Sequence, residues 1–111
     1  MRQALVLYNK TLAGRLTEED NGEYLFVYDP DYVQKFPNQF ITFQMPVSPS
    51  PYRSKILFPF FDGLIPEGWL LNIAAESWKI NKNDRMGLLL ACCQNAVGAV
   101  SIQPVNPESH A

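Results

Sequence analysis

The sequence predicts an α+β fold, a small antiparallel β-sheet with two main helices packed on one face. The first half contains short runs rich in aromatic and β-branched residues, separated by turn signals. The second half contains two helical segments with favourable first residues, followed by one more short β-rich run. Because 111 residues form a single hydrophobic core, we expect one domain over residues 1–105 and a frayed tail at residues 106–111.

Three strands are predicted at the start of the chain. Residues 3–8 and 11–16 flank the turn signal Asn9-Lys10, which is typical of a β-hairpin. Residues 23–28 contain Tyr, Phe and Val, and they form the clearest strand of the sequence. The pattern therefore indicates three consecutive antiparallel strands.

The middle of the chain predicts less regular structure. Residues 31–36 are expected to form one helical turn after Pro30, and residues 40–44 a fourth short strand that ends before Pro46. The proline- and serine-rich residues 46–53 are expected to form an irregular loop.

Two helices and a last strand follow. Pro66 suits the first turn of a helix that runs to about Ile80. A second helix is expected to begin at Asn83 or Asp84, either of which is a good N-cap, and to be buried because it is apolar nearly all round. Residues 99–103 are then expected to pair with the early sheet.

Composition excludes several classes of function. The net charge is −2 and the pI about 5.2, and the Lys and Arg residues are scattered, so direct nucleic-acid binding is not expected. No apolar run reaches the length of a membrane span or a signal segment, which favours a soluble, cytoplasmic protein without a membrane partner. The adjacent Cys92 and Cys93 indicate reduced, buried side chains, and the single His110 predicts no metal site.

The chain also lacks the motifs of an enzyme. It has no glycine-rich phosphate loop and no nucleophile with a histidine partner, so neither a catalytic site nor a cofactor is expected. Asp62 and Glu67 are a nearby pair of carboxylates that could in principle perform acid–base chemistry. A structural role is favoured for both, since Asp62 precedes a glycine in a turn and Glu67 lies at a predicted helix N-terminus.

The most informative segment is the aromatic stretch at residues 58–69, which combines four aromatic residues with prolines and glycines. Such a segment has to be covered, either by the protein's own core or by a second protein. Charged residues make up 18% of the chain, against about 25% in an average soluble domain. This shortage is typical of a partner interface but also of a loop-rich core, so composition leaves both alternatives open.

A series of motifs, taken in order along nearly the whole chain, resembles the N-terminal subdomain of the HipA-type toxin kinases. The motifs are Leu12-Ala13-Gly14-Arg15-Leu16, Phe26-Val27-Tyr28-Asp29-Pro30-Asp31-Tyr32, Met45-Pro46-Val47, Phe60-Phe61-Asp62-Gly63-Leu64-Ile65-Pro66-Glu67-Gly68, Asn83-Asp84-Arg85-Met86-Gly87-Leu88-Leu89 and Val97-Gly98-Ala99-Val100. The Leu-Ile-Pro-Glu-Gly element with a downstream Gly-Ala-Val is the most specific part of the resemblance.

The resemblance implies a non-catalytic binding module. In the family a Ser/Thr kinase core follows this subdomain, and the chain contains no residue of the kinase active site. It is similar to the stand-alone, HipS-like small subunit of a bacterial three-component HipBST-type toxin–antitoxin system. The implied partner is a HipT- or HipA-like Ser/Thr kinase, which the chain would inhibit as an antitoxin, with a HipB-like DNA-binding protein in a larger complex. The alternative is a structural or activating subunit, or a fragment, of a HipA-like kinase without an inhibitory role.

The aromatic stretch is the predicted contact with the kinase. Trp69 is favoured as the exposed anchor because it directly follows the Pro-Glu-Gly element, and Trp78 as the core tryptophan. The predicted partner-binding residues are Phe60, Phe61, Asp62, Ile65, Pro66, Glu67, Gly68 and Trp69.

Overall fold

Five antiparallel strands form the centre of the computed structural model, which describes residues 1–65, 72, 75–77, 79–81, 83–92 and 99–105. The strands are β1 (Arg2–Tyr8), β2 (Thr11–Glu18), β3 (Tyr24–Tyr28), β4 (Tyr52–Ser54) and β5 (Val100–Val105). They are arranged in the order β4-β3-β2-β1-β5, and each neighbouring pair is antiparallel. The predicted fold class is therefore confirmed.

The hairpin of β1 and β2 has the predicted two-residue turn. Asn9 and Lys10 have φ angles of 49° and 69°, and a positive φ at both central residues is the signature of a type I′ turn. This turn matches the right-handed twist of the two strands, and asparagine adopts such angles more readily than most residues. The predicted pairing of residues 99–103 with the early sheet is also confirmed, since β5 lies beside β1.

Three helices have defined bounds: α1 (Pro30–Lys35), α2 (Pro59–Asp62) and α3 (Arg85–Cys92). The sequence predicts α1 and α3 to within a few residues, whereas α2 is too short to show a helical period. Most of the helix predicted from Pro66 lies outside the described residues, although Asn72 and residues 75–77 are helical.

The end of that helix is well defined. The amide of Ile80 donates to Ala75 O and the amide of Lys79 to Glu76 O, while Lys79 has a φ of 53°. These two bonds around a left-handed residue form a Schellman motif. The helix therefore ends before Lys79 and not at Ile80, because the chain reverses there.

The predicted strand at residues 40–44 is wrong. Its backbone folds into a turn in which the amide of Met45 donates to Thr42 O over 2.9 Å, and Thr42 and Met45 form an isolated bridge. The apolar residues Phe40, Ile41 and Phe43 suggested an extended strand, but the segment pairs with itself and not with the sheet. The fourth strand is instead β4, which overlaps the last two residues of the segment predicted to be an irregular loop.

The core lies between one face of the sheet and the helices. Buried side chains of the sheet meet Phe61 of α2 and the apolar residues of α3. The largest fully buried side chains are Val6, Leu16, Phe26, Tyr28, Phe61, Met86, Leu88, Leu89 and Ile102. Gly14 of β2 faces this core, and a Cβ there would stand 2.5 Å from Val27 O and 2.8 Å from the Phe26 ring. The sheet therefore accepts only glycine at this position without a shift.

Tyr28 connects the end of β3 to the turn at residues 42–45. Its hydroxyl donates to Met45 O and accepts from the amide of Ile41. Burial raises the pKa of Tyr28 to about 12, so the hydroxyl keeps its proton at neutral pH. One side chain thus fixes the backbone on both sides of the turn, at Ile41 and at Met45.

We expect Tyr28→Phe to lower the free energy of unfolding by about 1–3 kcal/mol, because it leaves a buried carbonyl and a buried amide without their partner. Urea denaturation measures the change. Tyr52→Phe is the matched control, since it removes a hydroxyl that donates to Pro46 O at an exposed position. An equal loss in both variants would contradict the role given to burial.

Candidate partner-binding site

The short helix α2 brings the predicted contact segment onto the core. Pro59 occupies its first turn, where a missing amide proton costs little. The Phe61 ring is fully buried, with its centroid 5.6 Å from that of Phe26 and 6.1 Å from that of Phe58. The Phe60 ring packs edge-on against Phe61, 5.2 Å away, and is partly buried. Two neighbouring phenylalanines therefore have different environments.

Four of the predicted contact residues are described by the structure, and they divide into two pairs. Phe61 and Ile65 are buried within the chain, at 0% and 3% exposure. Phe60 and Asp62 reach the surface, and the Asp62 side chain is 42% exposed. Pro66, Glu67, Gly68 and Trp69 lie outside the described residues, as does Trp78.

Asp62 links α2 to α3. Its Oδ1 accepts a hydrogen bond from Arg85 Nε over 2.6 Å. Both side chains are partly exposed, so the pair stabilises the fold by less than about 1 kcal/mol. Its main effect is geometric, because it fixes the start of α3 against the end of α2. Sequence reasoning about Asp62 did not identify this arginine, which follows it by 23 positions.

A second arginine joins the sheet to the start of α3. Arg2 donates from Nε and Nη2 to the two carboxylate oxygens of Glu18, over 2.7 and 2.9 Å. It also donates from Nη1 and Nη2 to Asp84, over 3.0 and 2.8 Å. Tyr24 adds a hydroxyl donor to Glu18. These bonds raise the pKa of Arg2 and lower that of Asp84.

Asp84 is the N-cap of α3, one of the two residues that the sequence predicts for this position. Its Oδ1 accepts from the amide of Gly87, the third residue of the helix, over 3.2 Å. A Cβ on Gly87 would stand 2.4 Å from Asp84 Oδ2 and 3.2 Å from Arg2 Nη1. Glycine at this position therefore leaves space for the carboxylate to meet both the helix amide and the arginine.

The contact with Arg2 predicts a dependence of stability on pH. Hydrogen bonding to Arg2 lowers the pKa of Asp84 below its ordinary value of 3.8. A carboxyl group with a lower pKa in the folded state stabilises the fold at pH values above the ordinary pKa, and this contribution disappears as the pH falls through the folded-state pKa. We expect the advantage of the wild type over Asp84→Asn to be fully present at pH 6 and to decrease as the pH falls from the ordinary pKa of 3.8 through the lower folded-state pKa.

Urea titrations of both proteins across this pH range test the expectation. Asparagine is an equally good N-cap, so Asp84→Asn removes the charge and keeps the cap. A constant difference in unfolding free energy at all pH values would contradict the assignment.

Two features outside the contact segment were not predicted. Ile56, three residues before α2, is 68% exposed. A groove of about 210 Å³ lies beside the end of β3, lined in part by Leu5, Leu12, Arg15 and Asp29. None of the groove's lining residues belongs to the predicted contact segment.

Within the described ranges, no cluster of three or more His, Cys, Asp or Glu side chains is placed to hold a metal ion. In the same part of the chain, no helix combines the length and apolarity needed to cross a membrane. The site offers an aromatic helix with a carboxylate–arginine pair at its end, which is the chemistry of a binding surface.

Comparison with known proteins gives a consistent assignment. The family model described as the HipA N-terminal domain matches residues 4–103. A protein of Haemophilus influenzae Rd, described as an uncharacterized protein, is 40% identical over 88 residues, which are 79% of this chain and 79% of that protein.

A solved structure described as the N-terminal domain of HipA toxin superposes with a TM-score of 0.71 at 30% identity. The match covers 96% of this chain and 95% of that domain. Family model and structural match agree on the N-terminal domain, and neither includes a kinase catalytic domain.

Proposed function

The chain belongs to the HipA N-terminal domain family, and we propose that it is a non-catalytic antitoxin that binds a HipT- or HipA-like Ser/Thr kinase in the bacterial cytoplasm and inhibits it. The observation that carries the proposal is the extent of the match, since nearly the whole chain corresponds to the N-terminal domain of a HipA toxin. In the HipA-type toxin kinases that the sequence resembles, a kinase core follows this domain, so a kinase core is the proposed partner.

The charged groups of the described residues support a binding role. Phosphoryl transfer needs a phosphate cradle and carboxylates that hold magnesium. The carboxylates of Glu18 and Asp84 are bound to Arg2, and that of Asp62 is bound to Arg85. Each of these acids connects elements of the fold, so the proposal assigns none of them a catalytic step.

The proposed contact surface begins at α2 and continues through Trp69. Phe60 and Asp62 provide its described surface, whereas the buried Phe61 and Ile65 hold the segment against the core. Pro66, Glu67, Gly68 and Trp69 complete the proposed surface. An aromatic, charge-poor centre with a polar edge is the usual composition of a stable protein interface.

Co-expression tests the function. The probe is a HipA-like kinase of the same organism that lacks this N-terminal domain. The kinase is expressed alone and together with this chain. An inactive kinase variant without the catalytic aspartate is expressed in parallel. We expect the active kinase to arrest growth and co-expression of this chain to restore growth. In vitro, we expect the purified chain to form a complex with the kinase and to lower the autophosphorylation of the kinase. The inactive kinase controls for the burden of expression.

The competing role, a structural or activating subunit, predicts no inhibition of the kinase. Growth arrest that deepens, or autophosphorylation that rises on addition of the chain, would establish activation in place of inhibition. A HipB-like DNA-binding protein added to the binary complex tests the proposed larger assembly, which should elute earlier from a sizing column. Absence of any complex with the kinase would refute the binding role itself.

A further inference from the structure

The turn at residues 42–45 presents an exposed aromatic side chain. Phe43 is 74% exposed, the largest exposure among the large hydrophobic residues that the structure describes. Phe40, just before the turn, is 41% exposed. Single exposed apolar residues are common on proteins, so exposure by itself assigns no role to Phe43.

The backbone that carries Phe43 is held on both sides. The residues next to the exposed positions, Ile41 and Met45, are 6% and 5% exposed and belong to the core. The hydroxyl of Tyr28 bonds to the backbone of both, and the amide of Met45 closes the turn on Thr42 O. The Phe43 ring therefore projects from a turn that is already ordered, so binding of a partner costs little conformational entropy in the backbone of this turn.

The sequence around the turn carries no charge. Residues 36–52, between Lys35 and Arg53, contain no charged residue, although charged residues make up 18% of the chain. Depletion of charge together with exposed aromatic residues is the compositional mark of the centre of a protein interface. The surface complementary to such a segment is an apolar pocket without charge.

We propose that the turn at residues 42–45 is a second contact of this chain with its kinase partner, in which the Phe43 ring enters an apolar pocket of the kinase. This inference rests on the proposed function for the identity of the partner. The contact is separate in sequence from residues 58–69 and is supported by different observations. A second anchor on a rigid turn would fix the orientation of the chain on the kinase as well as its affinity.

The experiment measures binding of the kinase to the wild type and to Phe43→Ser and Phe43→Tyr by calorimetry. We expect Phe43→Ser to weaken binding by about tenfold or more, as removal of an aromatic anchor does, and Phe43→Tyr to retain most of the affinity. Leu12→Ser is the control, because Leu12 is an exposed apolar residue outside the charge-free segment, at 38% exposure. We expect it to leave the affinity within about twofold, as for residues outside a hot spot.

Thermal unfolding of each variant separates binding from folding, and Phe43→Ser should melt within a few degrees of the wild type. A large fall in its melting temperature would show that the ring belongs to this chain's own core and would overturn the inference. Unchanged affinity of Phe43→Ser, or an equal loss in Leu12→Ser, would overturn it while leaving the proposed function intact. Failure of the wild type to bind the kinase would overturn both.

Discussion

Phe61→Ala is expected to lower the free energy of unfolding by about 3–5 kcal/mol, the usual range for truncating a fully buried phenylalanine. The ring has no exposed surface and contacts Phe26, Phe58 and Phe60. Its removal leaves a cavity where α2 meets the sheet, at the position that supports the proposed contact surface. Urea denaturation followed by circular dichroism measures the loss.

Phe60→Ala is the matched control for this variant. It removes the same side chain from the neighbouring position, where the ring is only partly buried, so we expect a cost of about 1–2 kcal/mol from the smaller apolar area uncovered. The same variant should weaken kinase binding if α2 lies in the interface. A larger loss of stability in Phe60→Ala than in Phe61→Ala would contradict the observed orientation of the helix.

Trp69→Ala is expected to weaken binding to the partner kinase by about 2 kcal/mol or more, the threshold that defines a hot spot. The reason is its position directly after the Pro-Glu-Gly element of the predicted contact segment, together with the enrichment of tryptophan among hot-spot residues. Calorimetry with the purified kinase measures the change, and co-expression shows whether rescue from growth arrest is lost. The isolated variant should remain folded.

Trp78→Ala is the comparison that separates an anchor from a core residue. We expect it to reduce thermal stability and to affect binding only through folding. If Trp69→Ala unfolds the domain while Trp78→Ala leaves it folded, the two roles are exchanged and the anchor hypothesis fails. If Trp69→Ala leaves folding and rescue unchanged, the inhibitory contact lies elsewhere on the surface.

Most of the elements that the sequence predicted correctly have local causes. Asn9 and Lys10 supply the turn of the hairpin, and Asp84 caps α3 through a bond to an amide three residues away. The α+β class and the family follow from the order of such elements and motifs. These features need only near neighbours in the chain, so the sequence alone is sufficient to find them.

Features with a weak or conflicting local signal were missed. The strand β4 has three residues and α2 has four, which is too short for an apolar period to be seen. The apolar residues of the segment 40–44 had the opposite effect, since they predicted a strand where Tyr28 holds a turn. Hydrogen bonding from a distant side chain decided the local conformation.

The sequence by itself determined the fold class, the family and the segment expected to meet a partner. Only the tertiary structure decided which side chains of that segment remain available to a partner. Phe60 and Phe61 are chemically identical, and the orientation of α2 buries one ring and leaves the other partly exposed. It also decided the pairing of Arg2 with Asp84, across 82 positions. Burial and ion pairing depend on which distant elements are packed together, and this information does not lie in any short stretch of sequence.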